Sequence, residues 1–338
     1  MANAIEKVNT IAIASIEAIN GKTDANIQEL NALEFTGYTY GGITWSTDDN
    51  IPVGTASAGL SGKVGTVLLT MMGLASPVSY EHDGDAWSSS TATGGAMHDH
   101  GHAAGTQGAA VIYGGYTGSD DGDTTDEYNG TSWSNVNSMV QGSYGASGGG
   151  EIQSTCFITG GYTFNPTAYP ITMTQTYDAT TWTNESVASD GYGSGNAQNS
   201  GGGGLNACFK AVGTLEGYPY TTGSSLFNQS ASSWTTKATV SKALVYTVTC
   251  SDGVRVYKIG GFGPPGGAYS GTNMNDTVES WVENSWTTES VLPVKTITAG
   301  MGSGGQQALG GAFQAGGAYW NGSSKVNAST QYYTAAAS

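Results

Sequence analysis

Apolar and polar positions along this chain recur in a unit that returns about every fifty residues. A short apolar run ends on glycine in six places, at Gly73, Gly115, Gly161, Gly213, Gly261 and Gly317. The first five read VLLTMMG, AAVIYGG, TCFITGG, ACFKAVG and VRVYKIGG. Such runs, bounded by glycine, predict strands buried on both faces, with the glycines permitting positive φ where the chain turns hard. A polar segment carrying an aromatic follows (VSYEHDGDAW, DEYNGTSW, QTYDATTW, SLFNQSASSW, ESWVENSW), and each ends on tryptophan. The Asn-Gly, Asp-Ala and Asn-Gln steps ahead of Trp predict a hairpin turn. Trp45, Trp87, Trp133, Trp182, Trp234 and Trp286 mark the period, at separations of 42, 46, 49, 52 and 52 residues. Glycine-rich stretches such as SAGLSGKVG, GSYGASGGG and TAGMGSGGQQALGG precede apolar runs. Their recurrence at one place in the repeat predicts inner strands whose backbones approach closely, rather than linkers.

Six such repeats predict an all-β, six-bladed β-propeller over residues 37–338. The sixth repeat ends STQYYTAAAS without a tryptophan, whereas TYGGITWSTDD near the N-terminus has Trp45 and no inner strands before it. Residues 40–47 are therefore expected to complete the last blade, which removes the open edges.

Residues 1–36 follow a different period. Ile5, Ile16 and Ile27 each open a unit of the form I-(E/Q)-x-(V/I/L)-N, eleven residues apart. Three turns of slightly overwound helix have this period, and Ile5, Val8, Ile16, Ile19, Ile27 and Leu30 would form its apolar stripe. The β-branched run TIAI and Gly21 oppose one straight helix, so the segment is expected to be a short helical or irregular arm. A single copy buries such a stripe poorly, which marks an attachment or oligomerisation arm.

Composition narrows the partners. Of the 338 residues 53 are glycine, 11% are charged against a norm of about 25%, and 19 Tyr with 8 Trp supply apolar surface for a core. The net charge is −16 and Arg255 is the one arginine, so no basic patch for nucleic acid or an anionic membrane surface is visible. Cys156, Cys208 and Cys250 are odd in number and lie in strand-like contexts, which reads as buried thiols. No apolar run of roughly 18 residues occurs, so no membrane insertion is expected. A basic n-region followed by an apolar stretch is also missing, so no signal peptide is expected.

Three of the four histidines fall at His98, His100 and His102. Strand alternation places the three imidazoles on one face. Neighbours on one strand face are about 7 Å apart, so two of them with outside help suit a transition metal better than all three. The alternative is a hydrogen-bonded or solvated lining. Asp120, Asp121 and Asp123 sit in an acidic loop with the composition of a Ca²⁺ site but not the EF-hand spacing. Beyond these two metal candidates no cofactor is implied. Two long loops, YTFNPTAYPITMTQTY from Tyr162 and GFGPPGGAYSGTN from Gly261, carry exposed-type aromatics suited to a sugar: Tyr162, Phe164, Tyr169, Phe262 and Tyr269.

The glycine-rich strand, the apolar-Gly-Gly strand and the EYNGTSW or TYDATTW hairpin, together with the I-E-K-V-N and I-E-A-I-N-G leader, resemble the kelch-repeat virion proteins of tailed bacteriophages. The resemblance spans nearly the whole chain. It departs at AVG in the fourth repeat and at the single Gly73 in the first. It implies a structural, non-enzymatic protein of the extracellular particle, of the fibre, decoration or adhesin type. Its implied partners are other virion proteins, copies of itself through the arm, and a host surface glycan. A secreted or surface carbohydrate-binding propeller is the alternative reading, and a metal-dependent oxidase a weaker one. Oxidases of the kelch type need a Cys cross-linked to Tyr beside the metal, and no Cys neighbours the His run; sialidase chemistry needs three arginines. No G-x-S-x-G elbow, P-loop or H-E-x-x-H is present.

Overall fold

A computed structural model of the chain describes residues 51–52, 58–63, 66–71, 78–91, 101–117, 122–150, 152–164, 168–187, 200–202, 208–211, 222–228, 231–242, 244, 247–251, 256–261, 263, 275–282, 285–289 and 291–292. It also describes the backbone of short strands within 7–47 and 296–335. The chain divides into two compact units, Met1–Gly42 with Ala335–Ser338, and Ile43–Thr334. All regular structure among the described residues is β.

In the larger unit five four-stranded antiparallel sheets follow one another along the sequence, each with its strands in chain order. The first holds Ala58–Lys63, Thr66–Met71, Ser79–His82 and Trp87–Ser89 in that spatial order. The second holds His102–Thr106, Ala109–Tyr113, Thr125–Tyr128 and Trp133–Asn135. The third holds Ser147–Gly150, Cys156–Thr159, Thr174–Tyr177 and Trp182–Asn184, with a side hairpin of Tyr162–Phe164 and Ala168–Pro170. The fourth and fifth repeat the plan from Ser200–Gly202 to Ser233–Lys237 and from Val248–Ser251 to Ser285–Thr288. A further sheet sets Thr330–Ala335 between Gly311–Ala315 and Ile43–Thr47, so the strand carrying Trp45 is hydrogen-bonded to the last strand of the chain. This succession of meanders is β-propeller-like.

The first strands of successive sheets lie side by side, from Ala58–Lys63 through His102–Thr106, Ser147–Gly150 and Ser200–Gly202 to Val248–Ser251. Gly311–Ala315 neighbours both Val248–Ser251 and Ala58–Lys63. Glycine is what allows this approach. A Cβ placed on Gly148 would stand 2.7 Å from Cγ of His102, in the preceding sheet.

The second, apolar strand of each sheet is the core strand. Val111, Ile112 and Tyr113 in the second sheet, and Cys156, Phe157 and Ile158 in the third, are fully buried. Each such side chain contributes roughly 1.5–3 kcal/mol through burial. Tyr113, Cys156, Tyr177 and Trp182 pack in one cluster that welds the second sheet to the third. The tryptophan that opens each outer strand faces the aromatic opposite it. Tyr128–Trp133, Tyr177–Trp182 and Phe227–Trp234 are cross-strand pairs with ring centroids 5.1, 5.0 and 5.1 Å apart. His82 takes that place opposite Trp87, at 4.8 Å.

In the third, fourth and fifth sheets the indole N–H reaches back toward the preceding sheet. Trp182 Nε1 donates to Oγ1 of Thr125 at 2.9 Å, Trp234 Nε1 to the carbonyl of Ser186 at 3.0 Å, and Trp286 Nε1 to the carbonyl of Ala238 at 3.0 Å. The turn ahead of Trp is closed by a side-chain carboxylate or amide. Oδ1 of Asp83, Asn129 and Asp178 each accepts two backbone N–H groups of its own turn. Asp83 and Asp178 ionise below the usual carboxylate range, chiefly because of those backbone donors.

The smaller unit corrects the expectation of a helical arm. Its eleven-residue period is realised in strands: Lys7–Val8 pairs with Ile11–Ala12, Ala18–Ile19 with Lys22–Thr23, and Glu29–Leu30 with Leu33–Glu34. Eleven residues suit three helical turns, but they also suit one hairpin and its connection. Two residues separate the paired strands each time, and the first of them is Asn, which suits a two-residue hairpin.

Candidate functional site

The loops that leave the second strand of a sheet, and those that enter the next sheet, meet side by side between the second and third sheets. Paired glycines start the first kind. Gly114 and Gly115 have φ of 66° and 100°, and Gly160 and Gly161 have 67° and 93°. Gly161 has a second reason to lack a side chain, since a Cβ there would fall 2.2 Å from Oγ of Ser143. Each pair is followed by Tyr-Thr: Tyr116 and Thr117 in one loop, Tyr162 and Thr163 in the other.

Between the two comes Tyr144, on the segment entering the third sheet. Tyr144 and Tyr162 exchange backbone hydrogen bonds at 3.0 and 2.9 Å. Their rings stack at 5.7 Å with an interplanar angle of 26°, and Tyr116 adds a third ring 5.6 Å from Tyr144. Tyr162 is buried while Tyr116 and Tyr144 are half-buried, so the row has one anchored end and one end open to solvent.

The entering segments are pinned from below. Gln175, fully buried, accepts the N–H of Val140 at 2.8 Å and donates from Nε2 to the carbonyl of Gln141 at 2.9 Å. Glu279 repeats the device in the fifth sheet, accepting the N–H of Ser241 at 2.7 Å. Its other oxygen is 3.2 Å from Nζ of Lys258, the residue directly across the strand pair, and both are 1% exposed. Burial lowers the Lys258 ammonium below its ordinary range, and the Glu279 charge works against that shift.

Beside the side hairpin lies an open cleft of about 470 Å³, lined by Gln141, Ile171, Thr172, Met173, Thr174, Asn184, Glu185 and Val187. Its carboxylate is engaged: Glu185 accepts Thr176 Oγ1 at 2.8 Å and Ser232 Oγ at 2.6 Å. Val187 is exposed at the cleft edge. Its described lining offers amide, hydroxyl and apolar surface.

Of the expected loop aromatics, Tyr162 stands in this site, as one end of the tyrosine row. Phe164 and Tyr169 lie in the side hairpin, paired with Ala168 and Thr163. Phe262 and Tyr269 lie outside the described residues, as do His98, His100, Asp120 and Asp121. His102 opens the inner strand of the second sheet. It is 2% exposed, with its ring against Gly148 and 5.8 Å from Tyr113. It is therefore a packed side chain between sheets rather than a solvated one. Asp123 is exposed, and its backbone carbonyl accepts the N–H of Met139 at 2.7 Å. Among the described residues no three His, Cys, Asp or Glu side chains gather as metal ligands would. Cys156 is a buried free thiol, and burial, helped by the nearby Glu127 charge, pushes it well above its ordinary pKa. In the arm, Val8, Ile19 and Leu30 occupy the same place in three successive hairpins, next to the turn, while Ile5, Ile16 and Ile27 lie outside the described residues. Tyr116 and Tyr144 escaped the sequence reading. The recurrence of Gly-Gly-Tyr-Thr at 114–117 and 160–163 is the signal that points to Tyr116; Tyr144 has no such mark.

No protein-family model and no curated protein matches this chain. Among solved structures it is similar to that of YjhT, with a TM-score of 0.62 and 15% sequence identity over 85% of this chain and 96% of that one. At that identity the likeness carries the fold alone. Among the described residues no helix is long and apolar enough to cross a membrane.

Proposed function

We propose that this chain is a structural protein of a tailed-phage particle, held by its N-terminal repeat unit and displaying a six-bladed kelch-like ring for receptor or lattice contacts. The observation that carries this reading is the division of labour along the chain. A short repeat unit with its own period precedes a larger β-propeller-like unit whose loop face is tied down by buried hydrogen bonds. The ring of six is supported by two facts. Gly311–Ala315 neighbours the inner strands of both the fifth and the first sheet, and Ile43–Thr47 completes the sheet of Thr330–Ala335. The particle context rests on the resemblance of repeats and leader to phage virion proteins.

The role is non-catalytic. Its partners are other virion proteins and, at the open face, a host surface glycan. The tyrosine row favours the glycan as receptor, because half-buried rings held in a rigid stack present apolar faces to a sugar without losing much entropy. The placement test is electron microscopy of purified particles, bare and labelled with a binder raised against the 43–334 unit. Label at one repeated position on the particle is the expected result; label absent from intact particles ends the reading. Glycan-array binding of the isolated chain, lost on Tyr144→Ala, tests the receptor part.

A further inference from the structure

The N-terminal unit contains three hairpins of one design. Two residues separate Val8 from Ile11, Ile19 from Lys22 and Leu30 from Leu33, and each separating pair begins with Asn: Asn9, Asn20 and Asn31. In a two-residue hairpin, the residues that flank the turn exchange both hydrogen bonds. The next pair out sends its N–H and C=O groups away from the partner strand. In this chain those outward pairs are Lys7 with Ala12, Ala18 with Thr23, and Glu29 with Glu34. Among the described residues each hairpin is a sheet of two strands. A lone hairpin with two residues per strand is at best marginal in water, and its open edges are templates for another strand.

We infer that copies of this chain associate through these edges, rung against rung, in parallel and in register. The occupant is a second copy because of the period. Three outward edges, spaced eleven residues apart along the chain, are matched by another segment with the same spacing. A partner lacking that repeat would satisfy one rung and miss the others. Three weak rungs on one backbone also act together. Once the first pairs, the others meet at high effective concentration, so a contact marginal singly becomes stable as a set. This rests on the reading of the arm as an attachment and oligomerisation unit, and it adds the partner and the bonding pattern.

Proline separates edge pairing from hairpin formation. At positions 12, 18 and 23 it removes an outward donor while leaving the bonds between Val8 and Ile11 and between Ile19 and Lys22 in place. Light scattering on the purified full chain is expected to give an integer multiple of the chain mass. The triple variant Ala12→Pro, Ala18→Pro, Thr23→Pro is expected to give the monomer with an unchanged thermal transition of the larger unit. Deletion of residues 1–36 should give the same result. A monomeric wild-type chain at tens of micromolar overturns the inference, and so does an oligomer that survives the triple variant. Incorporation into particles is scored separately. If the monomeric triple variant still assembles into particles, anchoring does not need the rungs and self-association through them stands.

Discussion

The chain carries two repeats, and they solve the same problem in opposite ways. The long repeat ties its sheets to one another inside the chain. Each outer tryptophan described in the third, fourth and fifth sheets donates to the sheet before it, and the strand of Trp45 lies on the strand of Tyr332 and Tyr333. The short repeat makes hairpins that are two-stranded among the described residues, with outer backbone groups that face away from the partner strand. Length explains the difference. A four-stranded meander has a second, apolar strand to bury between neighbours, whereas a hairpin of two residues per strand is too short to build a core of its own. The lesson is that a periodic sequence predicts a repeated element, and the size of that element decides whether the chain can satisfy itself.

If the larger unit is self-sufficient, its most costly lesion is an unpaired charge within it. Lys258→Met should destabilise by about 3–5 kcal/mol, because it strands the Glu279 carboxylate at 1% exposure. The double variant Lys258→Met, Glu279→Met should recover most of that. It would still lose the bond from the Ser241 N–H, worth about 1 kcal/mol. Urea unfolding of the four proteins in the cycle measures the coupling, and additive losses would refute a tight pair.

Trp182→Ala tests the seam between sheets and ranks next. The ring is 6% exposed, lies 5.0 Å from both Tyr113 and Tyr177, and binds Thr125 across the seam. A loss of about 3–5 kcal/mol is expected. The equivalent Trp286→Ala, at a half-buried ring, should cost less. Equal losses would mean that the seams are not graded by burial.

These residues also show what the sequence made legible. The tryptophan period, the glycine pairs and the hairpin turns at the Asn-Gly, Asp-Ala and Asn-Gln steps were readable because each is a local requirement: a positive φ, a tight turn, an apolar run of strand length. Tyr144 was not readable, because it joins the row through a backbone pairing with Tyr162 that only the packed sheets create. Lys258 was hidden for a similar reason, since a lysine in an apolar strand becomes tolerable only through the residue opposite it in the register. His102 shows the limit of alternation. Period two says which side chains share a face, but not that Gly148 of the next sheet closes over one of them. The arm shows the limit of period alone, since eleven residues fit both a helix and a hairpin.

The seam also has a signature in pH. The Tyr177 hydroxyl donates to Glu127 at 2.9 Å, and its pKa is raised above the ordinary 10.0, first by burial and then by that bond and charge. Burial likewise raises Tyr128 above 10.0 and Cys156 well above 9.0. A group whose folded pKa is raised gives its full stabilisation below the unfolded value and loses it as pH climbs toward the folded one. Stability should therefore hold to about pH 9 and fall steadily above it. Tyr177→Phe should make that fall shallower. Unfolding midpoints measured from pH 7 to 11 give the slope, and a flat profile would contradict a protonated, buried seam.

The smallest effect belongs to the turns. Asn129 holds the N–H groups of Thr131 and Ser132 at 3.0 and 2.9 Å on an exposed loop, so Asn129→Ala should cost about 1 kcal/mol, with an unchanged denaturant slope. A loss three times larger would mean that the turn, rather than the seam, holds the sheet. Asparagine also begins the two-residue link of each short hairpin, at Asn9, Asn20 and Asn31. Asn20→Ala should therefore leave the unfolding of the larger unit untouched and register in the oligomer equilibrium. One residue type, placed in the two repeats, thus reports on two different free energies, and their separation is the sharpest form of the contrast between a repeat packed into four-stranded sheets and one proposed to pair with a copy.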